Sequence, residues 1–159
     1  SGAINKEEQL FLNPGDQAFI TTGQSPNGVS FRLNTCTGYF EQFQDFTPSL
    51  PVECPYPGSE NLPIVSENFN DTCINYIESL SQCVAHIAAV PIGLSPECGE
   101  YINKNVHYSG CTQLHKNDAN FYKSEWRIFL GRNKELWKQQ RETIKLLDAQ
   151  GKIIDSLSY

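Results

Sequence analysis

Six cysteines, at positions 36, 54, 73, 83, 98 and 111, and two histidines placed around the last of them are the residues of this 159-residue chain best suited to chemistry. His107, Cys111 and His115 recur at i, i+4 and i+8, so a helix would set all three on one face. With Asp118 or Cys98 nearby, they form a ligand mixture that zinc accepts. A competing chemistry accounts for all the sulfurs at once. The cysteines are even in number, none stands in a Cys-x-x-Cys pair, and all lie in the middle of the chain. That pattern reads as three disulfides in an oxidising compartment, and a metal at Cys111 would leave another cysteine without a partner. A disulfide-bonded cysteine is no nucleophile. The chain also has no Gly-x-Ser-x-Gly, no His-Glu-x-x-His and no phosphate-binding Gly loop. The sequence therefore points to a non-enzyme and calls for no cofactor. His86, among Ala, Val and Ile, reads as a packed or surface histidine.

The elements that must position these groups fall into three stretches. In residues 1–50, Gln17 to Thr22 and Val29 to Leu33 are strand-like. Ser25-Pro26-Asn27-Gly28 between them predicts a hairpin, and Asn13-Pro14-Gly15-Asp16 predicts a second turn. In residues 51–124, Pro51, Pro55, Pro57 and Pro63 keep the first part irregular. A helix is then predicted from Asp71, as N-cap, to Leu80, and a second from the Ser95 cap and Pro96 onward. A further helical stretch runs through Cys111 and His115. Asn70-Asp71-Thr72 is a glycosylation sequon for a eukaryotic secretory pathway. If the first two helices pack as an antiparallel hairpin, the cysteines nest. Cys83 then pairs with Cys98, Cys73 with Cys111, and Cys36 with Cys54 closes the loop that leaves the sheet. In residues 125–159, Glu125 to Leu130, Glu142 to Leu147 and Lys152 to Tyr159 read as strands, with a hairpin turn at Asp148 to Gly151. Asn133 to Gln140 is predicted as a short helix that places Trp137 on the core.

Charge follows the same division. The net formal charge of −6 splits into −3, −5 and +2 along the three stretches. An acidic chain of this kind is no general binder of nucleic acid or anionic membranes, and no run of residues is apolar and long enough for a membrane helix. Arg127, Arg132, Lys134, Lys138, Arg141 and Lys145 make the last third locally basic. Such a face either docks an acidic polymer or partner, the acidic middle of a second copy included, or is a solvated surface. Trp126 and Trp137 read as core residues, while Tyr39, Tyr56, Tyr101 and Tyr108 are candidates for a sugar-stacking surface.

A lone hairpin is marginal in water, so the strands before and after residues 51–124 are expected to share one core. The fold class this predicts is mainly β with an α insertion. Residues 1–50 and 125–159 form a β-sandwich, interrupted by a disulfide-stapled helical insertion over 51–124.

At its C-terminal end the chain resembles a known family. Glu142-Thr-Ile-Lys-Leu-Leu-Asp-Ala-Gln-Gly-Lys-Ile-Ile-Asp-Ser-Leu-Ser-Tyr159 is similar to the closing hairpin of lamin-tail domains, and Leu12-Asn-Pro-Gly-Asp-Gln-Ala-Phe-Ile20 resembles their central strand. Ser25 to Asn34, Cys36 to Tyr39 and Glu125-Trp-Arg-Ile128 are similar to bacterial surface-type members with a Cys-rich insert. The resemblance covers about residues 10–50 and 125–159 and implies an immunoglobulin-like sandwich. The family's opening Asn-Glu and Trp-x-Glu-Leu strands have no counterpart here. The first sheet then lies upstream, comes from a partner chain or is rebuilt, and an apolar face left open would favour strand addition or self-association. The function this implies is a non-catalytic, extracellular or cell-surface module that binds a protein or cell-wall partner. The alternatives are a carbohydrate-binding domain of a larger exported enzyme and a metal-dependent hydrolase using His107 and His115.

Overall fold

Asn13 to Asp16 turn the chain into its first long strand: the Asp16 N–H donates to the Asn13 carbonyl (2.9 Å), and Gly15 takes a positive φ of 89°. The computed structural model describes residues 3–4, 10–60, 62 and 69–159. Pro63 of the irregular stretch lies outside the described residues. The strands are β1 (Ala3–Ile4), β2 (Gln17–Thr21), β3 (Ser30–Asn34), β4 (Tyr122–Phe129), β5 (Thr143–Leu147) and β6 (Ile153–Ser158). The helices are α1 (Asp71–Ser79), α2 (Pro96–Asn105) and α3 (Tyr108–His115).

The turn at Ser25 to Gly28 forms, closed by the Gly28 N–H on the Ser25 carbonyl (3.1 Å), but the predicted hairpin does not. β4 lies between the two strands. It runs parallel to β2, from Gln17 opposite Glu125 to Thr21 opposite Phe129, and antiparallel to β3, with Phe31 opposite Arg127. The sheet order is β1-β3-β4-β2. The physical reason is connection length. A two-residue loop forces adjacent strands to pair, whereas the chain from Thr22 to Val29 can cross a strand set about 4.8 Å from each neighbour. Strands on either side of the insertion therefore share one sheet, and the boundary read at 124/125 falls inside its central strand.

In the insertion, α1 is capped by Asn70, whose Oδ1 accepts from the Cys73 N–H (3.1 Å), one residue before the expected Asp71. α2 is capped by Ser95, whose Oγ accepts from the Cys98 N–H (3.1 Å), with Pro96 at the first helical position as predicted. All six cysteines are paired, as Cys36–Cys111, Cys54–Cys83 and Cys73–Cys98, so none of the three nested pairs expected from the sequence forms. Nesting required the end of α1 to meet the start of α2. Instead the two capped N-termini meet, and each contributes the third residue of its helix to Cys73–Cys98.

Much of the core is built on sulfur. One buried cluster joins Cys36, Cys54, Cys83 and Cys111 with Tyr39 and Phe121. Another sets Cys73 and Cys98 among Phe69, Ile77, Ile102 and Val106, and a third packs Phe31 and Leu33 of β3 on Phe46 and Leu50. Two glycines permit this closeness. A Cβ on Gly38 would overlap the Cys83 sulfur and lie 2.9 Å from the Pro51 carbonyl. A Cβ on Gly110 would overlap the Lys104 carbonyl and lie 2.6 Å from the Asn105 Cα, so the residue that weakens α3 also lets it pack on the end of α2.

Beyond β4 the chain is open. Residues 133–140 form no helix: Leu136 and Trp137 are adjacent rather than a helical turn apart, so no apolar stripe exists to hold one. Trp137 is half-buried. β5 and β6 pair as an antiparallel hairpin about Asp148 to Gly151, where Asp148 Oδ1 accepts from the Gln150 N–H (3.0 Å) and the Lys152 N–H (2.8 Å). Among the described residues the β part is thus a four-stranded sheet and a separate two-stranded one.

Candidate functional site

The histidines and cysteines singled out for metal binding do not converge. His107 lies just outside α3, with extended backbone, and caps it by accepting the Gly110 N–H on Nδ1 (3.3 Å). The Cys111 sulfur is bound to Cys36, and that of Cys98 to Cys73. The helical face read from i, i+4, i+8 fails because its first member is a cap and its second is oxidised. Among the described residues no group of three His, Cys, Asp or Glu side chains is placed to hold a metal ion. His86 is half-buried, with Nε2 3.0 Å from the Tyr76 hydroxyl, as a packed histidine would be.

His115 has a different role. Its Nε2 lies 2.9 Å from Glu60 Oε1 and its Nδ1 2.8 Å from Asp118 Oδ2, so both ring nitrogens meet carboxylates. Burial works against the charged imidazolium, but the hydrogen bonds and charges of Asp118 and Glu60 outweigh it and raise the His115 pKa above its ordinary value. Burial, reinforced by Glu60, pushes Tyr39 up to about 12 and raises Tyr101. The arrangement resembles an acid–base site, yet neither imidazole nitrogen is left for a substrate. The crevice beside it, about 20 Å³, has room for a water at most. Its effect is to fasten the irregular segment at Glu60 to the end of α3.

The six basic residues divide. Arg127 is buried. Its guanidinium grips Glu125 at 2.7 Å from Nε and 2.6 Å from Nη2, donates to the Pro48 and Ser49 carbonyls, and lies 4.7 Å from the centre of the Phe19 ring. It therefore leaves the expected face, because its fork is fully used inside the protein. Arg132, Lys134, Lys138, Arg141 and Lys145 are exposed along the segment between β4 and the hairpin and into β5. The four tyrosines do not make one surface either. Tyr39 is buried in the sulfur cluster, Tyr101 packs against the Cys73–Cys98 cluster, Tyr108 packs beside Tyr39's cluster, and Tyr56 is exposed.

The closing hairpin is a further exposed surface. Its register places Ile144, Leu146 and Leu157 on one face and Leu147 and Ile153 on the other, while Ile154 sits at an irregularity in the pairing. Leu146 is 59% exposed, Ile154 63% and Leu157 62%. A strand that packs one face on a core alternates buried and open positions, whereas every residue of β6 is open. Beyond the main-chain pairing of Glu142 with Tyr159, the Tyr159 hydroxyl donates to the Lys138 carbonyl (3.0 Å), which ties the hairpin to the basic segment. On β2, an edge strand of the four-stranded sheet, Phe19 and Ile20 are also exposed, as are Phe11 and Leu12 before it. The pairing of β5 and β6 was legible from the sequence, but not that both faces would stay open.

Compared with protein-family models, curated proteins and solved structures, the chain matches none of them. The geometry above therefore has to carry the functional argument. Among the described residues no helix is long and apolar enough to cross a membrane, and three intramolecular disulfides are what an oxidising environment produces.

Proposed function

We propose that this chain is a non-catalytic interaction or anchoring module of an exported protein, and that it docks a protein or cell-wall partner through the β5–β6 hairpin and the basic segment before it. The observation that carries the reading is the hairpin itself: Leu146, Leu147, Ile153, Ile154 and Leu157 are each half or more exposed, on a ribbon that joins no larger sheet among the described residues. A two-stranded ribbon alone is marginal in water, and covering each such side chain is worth about 1.5–3 kcal/mol. That driving force is unused until a surface covers the ribbon. Among the described residues β5 and β6 pair only with each other, so a strand can add at either outer edge. The five exposed cations nearby favour an acidic partner by steering its approach. The lamin-tail likeness of residues 142–159 belongs to this proposal. In that family the segment is part of an immunoglobulin-like sandwich, and the partner would here supply the facing strands.

Photo-crosslinking in the source cell tests the reading. A crosslinker replacing Leu157 should give one discrete adduct, a second copy of the chain included. The same group replacing the exposed Glu100 of α2 should give none. Equal labelling at the two sites, or none at Leu157, would remove the hairpin from the account.

A further inference from the structure

Between β3 and α3 runs a cleft of about 460 Å³, within the size range of small-molecule sites and separate from the hairpin. From its composition we infer that it binds a neutral saccharide. Phe31 from β3, Phe40 from the 3-10 turn after it, Tyr108 from α3, and Phe121 and Tyr122 at the start of β4 supply its aromatic surface. The rings are packed into a wall: Phe40 and Tyr108 are 4.3 Å apart between centroids, and Phe31 meets Phe40 edge-on at 5.8 Å. Tyr122 is 44% exposed and leaves a ring at the rim for the C–H face of a sugar.

The polar groups fit the same ligand. Asn34 lines the cleft beside Tyr108, and its amide is fixed by the bonds it makes to the Tyr108 hydroxyl and the Cys36 N–H. The Tyr108 hydroxyl accepts from Asn34 Nδ2 (3.1 Å), which leaves its own proton to donate. The one charged side chain lining the cleft, Arg32, is already engaged. Its Nε donates to the Lys123 carbonyl (2.6 Å), its Nη2 lies 3.7 Å from Asp16, and its guanidinium sits over the Tyr122 ring. An ionic ligand would find no free countercharge. A ring with apolar C–H faces and hydroxyl edges matches the exposed Tyr122 ring, the aromatic wall behind it and the free proton of the Tyr108 hydroxyl.

The test is an NMR titration of the oxidised, isotope-labelled chain with cellotetraose, chitotetraose, xylotetraose and maltotetraose, with a proline decapeptide as the competing probe. At least one saccharide should shift amides of residues 31–34, 108–112 and 121–122 and saturate by about 10 mM. Tyr122→Ala removes the exposed rim ring and leaves the buried clusters intact, so the chain should fold and bind about tenfold more weakly. Leu157→Asp should leave the titration unchanged, which separates this site from the hairpin. No shift with any of the four saccharides, shifts with the proline peptide alone, or undiminished binding by Tyr122→Ala would each overturn the inference.

Discussion

The insertion and the closing hairpin hold themselves together by opposite means. In the insertion every sulfur is bonded and no more than 5% exposed, each long helix begins at a side-chain cap, and the disulfides serve as core. The hairpin has backbone pairing and a well-formed turn, but its apolar side chains face solvent. Covalent closure lets a short, irregular segment dispense with a large apolar core. Apolar side chains that the chain's own core does not use remain available to another surface. On the reading proposed above, the hairpin becomes complete on contact, while the insertion is held by its own sulfurs and by Cys36.

Reduction separates the two most strongly. On chain entropy, the Cys36–Cys111 closure across 75 residues stabilises by about 4.5 kcal/mol, and the two shorter loops by about 3.5 kcal/mol each. Together these match the entire stability of a typical domain. Dithiothreitol should therefore abolish the cooperative thermal transition seen by circular dichroism; a reduced chain that melts as the oxidised one does would mean the sulfurs are incidental. A smaller effect sharpens the same contrast. Gly110→Ala forces a methyl into the Lys104 carbonyl and should cost about 1–3 kcal/mol in urea unfolding, whereas alanine at exposed Gln150 of the hairpin turn should stay within about 0.5 kcal/mol. The smallest concerns pH. Because the folded His115 pKa is raised, the stabilisation from its two carboxylates is complete below the ordinary imidazole value and is lost as pH rises through the folded one. Water screens this half-open cluster, so the change should stay under about 1 kcal/mol. His115→Gln should flatten the stability profile above the ordinary imidazole value, where a raised imidazole titrates. An unchanged slope would assign the pH dependence to other groups.

What the sequence made legible was local. Ser95-Pro96-Glu97 announces the start of α2, and Asp148 to Gly151 announces the last turn, because each is decided by neighbours a few residues apart. Strand order and sulfur pairing depend on where distant ends meet, and no residue near Cys73 says that its partner starts the next helix. The site residues divide the same way. Asp118, three residues from His115, stands out in the sequence only as a nearby metal ligand, and Glu60, 55 residues away, does not stand out at all. Arg127 looked like one more surface cation. Glu125 two residues before it, on the same strand face, was the available sign that its charge is used internally.

The central claim is that the hairpin stands open on a covalently closed platform. Hydrogen exchange on the oxidised, isolated chain tests it most directly. The account predicts that the paired amides of β5 and β6 exchange at least about 100-fold faster than those of α1 and α2, since they open without disturbing the stapled core. Protection of the hairpin equal to that of the helices in a monomeric chain would show that it is already packed, and would contradict the account.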